Sequence, residues 1–197
     1  MAHAKLLFFS GSTREASLNR KLAALAQKVA QSNGINATLL DLNDYPLPIY
    51  NGDLEEKEGV PDNARALKAI FEDHQGIFIA SPEYNGGVSP LLKNTIDWIT
   101  RINDEDMKGG MVFKTRAFAI GSVAASEMGG VRGLIQLRQI LAVALGGLVL
   151  GGGVQVPGGP DKFDDDGMLV EEPRFNVLKD SVKRLGETAT ALFVETT

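Results

Sequence analysis

Five short apolar runs, each followed by a stretch with helical spacing, set the strongest limit on how this chain can fold. The runs fall at 6–9, 38–42, 77–80, 117–120 and 148–154. Apolar residues recur every third or fourth position over 18–31, 62–72, 91–100, 134–145 and 176–193, which is the helical pattern. Runs so short and so apolar suit strands buried on both faces, the condition of a parallel sheet. Their alternation with helices predicts an α/β domain whose sheet is covered on either side. No repeat of fixed period and no Pro- or Ser-rich linker interrupts the 197 residues, so one domain over 1–197 is expected.

In such open sheets, ligands bind beyond the C-terminal strand ends, where the strand order reverses. The loops to read are therefore 10–19, 81–90 and 121–130. The first, Ser10-Gly11-Ser12-Thr13-Arg14-Glu15-Ala16-Ser17, leads into a helix opening at Leu18 and Asn19. A helix N-terminus leaves unpaired N–H groups and a partial positive charge, which suits an anion. The dipole contributes only about 0.3–1 kcal/mol, while micromolar affinity needs about 8 kcal/mol. Further donors are needed, and hydroxyls of Ser10, Ser12 and Ser17, the Arg14 guanidinium and the Asn19 amide are on hand. Ser17 alone would be an ordinary helix cap, and Arg14 an ordinary solvated side chain. The loop lacks the Gly-Lys-Ser/Thr ending of a Walker A loop, the three glycines of a dinucleotide fingerprint and any cysteine. A mononucleotide phosphate remains.

The second loop, Ser81-Pro82-Glu83-Tyr84-Asn85-Gly86-Gly87, has glycines for a tight turn with a flat ring and an amide beside them. Pro90 follows where a first helical turn accepts it. Backbone groups along an edge and Tyr84 as a wall would fit a planar heterocycle; the plainer alternative is a surface turn.

These residues carry a resemblance. "GSTREASLNRKLA" and "SPEYNGGVSPLLKNTIDWITR" resemble the G-S-x-R-x-x-S-x-N and P-E-Y-N…L-K-N-x-I-D-W motifs of the NADPH-dependent FMN reductase family, which is flavodoxin-like and includes chromate-, quinone- and azo-reducing members. "GGVRGLIQLRQIL" from Gly129 is similar to the family's G-G-x-R…L-R-Q-x-L helix, and 46–55 to its second-strand loop. The resemblance runs from about residue 6 to 149. It implies a three-layer sandwich around a five-stranded parallel sheet, with bound FMN and NADPH or NADH as electron donor. Hydride would pass through the flavin to a quinone, flavin, azo or similar acceptor. Cofactor contacts are implied from Ser10, Ser12, Arg14, Ser17, Leu18 and Asn19, from Pro82, Glu83, Tyr84 and Asn85, and from Ser122, Val123 and Ala124. No side chain need act as nucleophile or metal ligand. The family's second tyrosine or serine after P-E-Y-N is replaced by Gly86 and Gly87, leaving the nicotinamide and acceptor face barer. The consecutive serines of the fourth-strand loop are reduced to Ser122 and Ser126, with the N–H groups of Val123 and Ala124 left to serve a ring.

The remaining composition agrees. A formal charge of −5 gives no basic surplus for nucleic acid or anionic membrane. With no cysteine, disulfides, thiolate zinc and iron–sulfur centres are excluded. Apolar runs break too early for a signal peptide or membrane span, so a cytoplasmic protein is expected. His3 and His74 read as bystanders. The acidic stretch 161–173 fails an EF-hand register, with Lys162 and Pro173 at the ends, and reads as a polar turn. The triplet 151–153 reads as a tight strand exit or a subunit contact rather than a phosphate cradle. The resemblance implies a homodimer or homotetramer through Trp98, Ile99 and Ile102. Two rival readings stay open: an FMN-binding electron carrier, whose T-x-T-G-N-T-like loop Arg14 does not suit, and a non-catalytic mononucleotide-binding module.

Overall fold

The computed structural model describes residues 4–103 and 109–194. Its sheet is built from β1 (Leu6–Ser10), β2 (Ala37–Leu40), β3 (Gly76–Ala80) and β6 (Ala117–Ala124), with β7 (Leu148–Val149) and β8 (Val154–Pro157) beyond β6. The order is β2-β1-β3-β6, followed by β7 and β8 side by side along β6, and every pairing is parallel. This is the flavodoxin-like doubly wound order, with its reversal between β1 and β3.

Alternation along the strands explains the three layers. Leu6 and Phe8 face α1 (Leu18–Ser32) and α7 (Glu172–Val194), burying Leu22, Leu25, Leu178 and Leu185. Leu7 and Phe9 face the opposite way, toward α3 (Asp62–Glu72), α4 (Pro90–Thr100), α5 (Met111–Lys114) and α6 (Val131–Arg138). Side chains at successive strand positions point to opposite faces, so a run apolar at every position fills two cores at once.

The fifth strand departs from expectation. The run 148–154 does not form one strand. Phe118 pairs with Val149 and Gly121 with Val154, so β6 advances three residues while its neighbour advances five. The excess loops out at Gly151 and Gly152, the latter with φ 83°, a conformation open to glycine. Arg138 donates to the carbonyls of Val149 and Gly152, so the bulge's freed acceptors are met from α6. Helix α6 begins three residues earlier than its apolar spacing predicts and ends in a π-helical turn, Gln139–Ala144.

The residues expected at a subunit contact do not reach the surface. Trp98, Ile99 and Ile102 are completely buried within the chain. Trp98 and Ile102 pack with Ala64 under the segment around Leu47 and Tyr50, and the indole N–H donates to the Pro48 carbonyl at 2.7 Å. The amphipathic reading of α4 missed this covering strap. Large apolar side chains are exposed elsewhere, notably Ile135 and Val143 on α6 and its π-helical extension.

Candidate functional site

Loops leaving β1, β3, β6 and β8 converge on a cavity of about 350 Å³. Its walls are Ser12, Arg14 and 16–19 from the first loop, 82–84 from the second, 123–125 from the third and 158–160 from the fourth.

The first loop is set by close packing and by its own side chains. A Cβ on Gly11 would lie 3.0 Å from Leu92 Cβ, so a side chain there would press on α4 where glycine passes freely. Ser89 caps α4 and donates to the Gly11 carbonyl at 2.6 Å. Ser17 is the cap of α1: its hydroxyl accepts from the Arg20 N–H at 3.4 Å. Ser12 accepts from the Arg14 N–H at 3.4 Å. Arg20 pairs with Asp41 and donates to the Thr13 carbonyl, holding the loop from outside. What remains unpaired is suggestive. The exposed Arg14 guanidinium and the first-turn N–H groups of Leu18 and Asn19 have no acceptor among the described residues.

Asn19 does not offer its amide as expected. It donates to the Val123 carbonyl and accepts from the Val123 N–H, both at 3.0 Å, and is buried. The pair ties the first loop to the third, and it occupies the Val123 N–H expected to serve a ring. A buried amide needs such partners, and a backbone strand end supplies them.

The second loop is a miniature hairpin, β4 (Glu83–Tyr84) against β5 (Gly87–Val88). Asn85 and Gly86 have φ 52° and 81°, the paired positive angles of a type I′ turn, for which Asn-Gly is the preferred sequence. Helix α6 holds the hairpin in place. Glu83 accepts from the Gly133 N–H at 2.9 Å, and Gln136 accepts from the Val88 N–H at 2.7 Å. A Cβ on Gly133 would lie 3.2 Å from the Gly87 carbonyl, so helix and hairpin are in direct contact. The two glycines therefore differ from expectation. A Cβ on Gly87 would crowd Gln136 at 2.8 Å, whereas one on Gly86 would meet only Arg132, at an ordinary contact distance of 3.6 Å. Of the two, Gly86 is the less hemmed in.

Three expected site residues stand outside the cavity wall. Asn85 sits at the hairpin tip. Ser122 is buried, its hydroxyl unpartnered and directed at Gly130, where a Cβ would come within 2.0 Å. Ser10 is also buried and unpartnered; it borders a separate cavity of about 160 Å³ beside Arg20 and Asp41. Ser126 is exposed and likewise outside the wall. The wall contains a segment that sequence reasoning missed, Gly158, Gly159 and Pro160. Its signal was present: Pro-Gly-Gly-Pro after the last strand lies at the same sheet edge as the other loops. Nearby, Lys162 bonds Glu171 at 2.8 Å, and this contact raises the ammonium above its ordinary pKa and lowers the carboxyl below its own.

The remaining histidine and acidic motifs are structural. His74 is buried, with ring nitrogens 2.7 Å from the Ile70 carbonyl and 2.8 Å from the Thr38 hydroxyl. His3 lies outside the described residues. Asp164 accepts from the N–H groups of Asp166 and Met168, making the stretch before α7 a turn. Among the described residues, no three His, Asp or Glu side chains gather as a metal site would require.

Known proteins resemble this chain in sequence and in fold. The sequence model of the family described as NADPH-dependent FMN reductase matches residues 4–161. A quinone reductase of Escherichia coli (strain K12) is 33% identical over 135 residues, covering 66% of this chain and 65% of its own length. The match thus spans just under two thirds of that relative. A probable NADPH:quinone oxidoreductase 2 of Oryza sativa subsp. japonica is 32% identical over 187 residues, 93% of this chain and 87% of its own. Among solved structures, FerB, a flavoenzyme NAD(P)H:(acceptor) oxidoreductase from Paracoccus denitrificans, superposes with a TM-score of 0.77 at 24% identity, over 94% of this chain and 97% of its own. That likeness bears on the fold. By the extent of the family match and of the rice relative, the chain belongs to the NADPH-dependent FMN reductase family.

Proposed function

We propose that this chain is an FMN-dependent NAD(P)H oxidoreductase that reduces quinones, flavins, azo compounds or similar acceptors. One observation carries the reading: an unpaired arginine and unpaired helix N–H groups face the same cavity as a rigid hairpin edge. That donor set fits a mononucleotide phosphate at one end and a flat ring along the other. When bound, FMN would supply the redox chemistry, hydride transfer between a nicotinamide and the acceptor. The chain's own residues bind and orient. Arg14 and the N–H groups of Leu18 and Asn19 hold the phosphate, with Ser12 beside them. Asn19 fixes the third loop, so Val123 and Ala124 form a stationary wall. Glu83 and Gln136 fix the hairpin, so Pro82 and Tyr84 do the same on the other side. Preorganisation of this kind places reactants without further ordering.

Residues 1–197 act as one FMN-binding unit in this reading. The working form is a homodimer or homotetramer, for which the exposed Ile135 and Val143 offer apolar surface. Among the described residues, no helix is long and apolar enough to cross a membrane; a cytoplasmic location accords with that. The absorption spectrum of the purified protein and its steady-state oxidation of NAD(P)H with added quinone test the function. Flavin bands together with quinone-dependent turnover are expected. Flavin without nicotinamide oxidation would identify an electron carrier instead, and a protein that takes up no FMN would overturn both. Light scattering at micromolar concentration tests assembly, and a monomer would contradict it.

A further inference from the structure

Beside the cavity stands a cation that the reading above leaves without a role. Arg132, in the first turn of α6, has a side chain 60% exposed. Its aliphatic stem runs along the hairpin tip, where a Cβ on Gly86 would lie 3.6 Å from its Cδ. Its nearest charge is Glu83, at 3.8 Å, beyond hydrogen-bond reach. That carboxylate is already engaged by the Gly133 N–H at 2.9 Å, and its side chain is only 9% exposed. Glu83 therefore does not need Arg132 to remain satisfied, and Arg132 has no hydrogen-bond acceptor among the described residues. In a chain with a formal charge of −5, this guanidinium is not part of a general basic surface.

We propose that Arg132 is a substrate-binding residue that takes a phosphate group of the nicotinamide dinucleotide. The inference rests on the reading of the chain as a nicotinamide-oxidising flavoenzyme. In that reading Arg14 and the α1 terminus serve the phosphate of the flavin. A nicotinamide dinucleotide brings phosphates of its own, which need a second cation at the same cavity. Arg132 meets the requirement from α6, next to Glu83 of the cavity wall and beside the hairpin that carries Tyr84. A guanidinium presents its donors as a planar fork, the geometry that binds phosphate oxygens in pairs. Because the group is solvated and only loosely paired, little desolvation or ion-pair breaking opposes the contact. The phosphate is either the pyrophosphate, common to both nicotinamides, or the 2′-phosphate that distinguishes NADPH.

The experiment uses FMN-loaded wild type, Arg132→Gln and Arg132→Lys. Flavin affinity is measured for each, NADP⁺ and NAD⁺ are titrated by the change in flavin absorbance, and turnover of NADPH and NADH is followed with saturating quinone. For Arg132→Gln, KM for NADPH and the dissociation constant of NADP⁺ should both rise about tenfold, the scale of a charge-assisted bond. The value of kcat and the affinity for FMN should stay within about twofold, and Arg132→Lys should recover part of the loss by restoring the charge. Added salt should weaken nicotinamide binding in wild type more than in Arg132→Gln. A loss confined to the phosphorylated nicotinamide assigns the 2′-phosphate; an equal loss for both assigns the pyrophosphate. Wild-type turnover with unchanged constants in Arg132→Gln overturns the proposal. So does an FMN affinity that falls in step with the KM change, since that would make Arg132 a support for the hairpin. A wild-type protein that binds FMN yet oxidises neither nicotinamide overturns the enzymatic reading itself and the role of Arg132 with it.

Discussion

Around residues 10–19 the wall of the cavity takes its shape from side-chain bonds, while around 83–88 it takes its shape from backbone angles. In the first loop, Ser17 caps α1, Ser12 bonds the chain two residues on, and Asn19 grips Val123 from both sides. In the hairpin, shape comes from the positive angles of Asn85 and Gly86, and its position from the Glu83 and Gln136 side chains, which accept N–H groups across the contact with α6. The contrast teaches that density of polar side chains is a poor measure of what a loop can give a ligand. Ser12, Ser17 and Asn19 are already engaged within the protein, while Arg14 is left over. Stability and binding should therefore separate cleanly in the first loop, while conformation and chemistry should be inseparable in the hairpin.

Asn19→Leu is the sharpest way to break this contrast. It removes both bonds and strands the buried N–H and carbonyl of Val123, so the apoprotein should lose about 2–5 kcal/mol. Denaturant unfolding without flavin measures it, and an unchanged midpoint would show that the two loops do not depend on this tie. Gly86→Val acts on the hairpin. Valine disfavours the φ of 81° by about 1–2 kcal/mol, and the tip must shift. FMN should be retained, whereas reduction of the flavin by NAD(P)H should slow by up to about a hundredfold, the scale of a small misplacement. Stopped-flow reduction at several nicotinamide concentrations is the check, and wild-type rates throughout would separate the hairpin from hydride delivery.

Smaller effects refine the picture. Arg14→Ala should weaken FMN binding about tenfold, losing one charge-assisted contact, with apoprotein stability unaltered because the side chain is exposed and unpaired. Ser17→Ala should instead cost about 1 kcal/mol of stability as a lost cap, along with any affinity. Fluorescence titration and unfolding of both variants distinguish a binding residue from a cap. The smallest effect concerns Lys162 and Glu171 near the fourth loop. The hydrogen bond from Lys162 holds the Glu171 carboxyl below its ordinary pKa. A folded-state pKa below the unfolded one gives a contribution that is complete above the ordinary glutamate range and fades as pH falls through the folded value. Glu171→Gln should lower the unfolding temperature slightly at neutral pH and match wild type in acid; a difference that grows in acid would reverse the assignment.

The sheet was legible wherever a strand is apolar without a break. Leu6, Leu7, Phe8 and Phe9 announce a strand with a core on either side, and the structure has that. The fifth strand was misjudged because Leu148, Val149 and Leu150 run into glycines whose looping depends on Arg138, a partner distant from any local pattern. Donor-rich character of the first loop could be seen in its residue types, but not that Asn19 and the Val123 N–H would bond each other across 104 residues of chain. Ser122 was read as a ligand group from its hydroxyl, and no local pattern announces that the hydroxyl lies buried against Gly130. Trp98 looked like interface because nothing in α4 announces the strap that covers it.

That strap gives the chain an optical property. Trp98 is the single tryptophan in the sequence, wholly buried, with its N–H on Pro48 and the Tyr50 ring edge-on at 5.1 Å. Asn94 fastens the same segment by bonding the Pro48 carbonyl and the Tyr50 N–H, at 2.9 and 2.8 Å. None of these residues lines the cavity. The native indole should therefore emit at short wavelength and shift to the red only when water reaches α4. Its emission maximum then reports opening of the strap, while flavin absorbance reports the cavity, so the two events can be followed as separate colours in one cuvette.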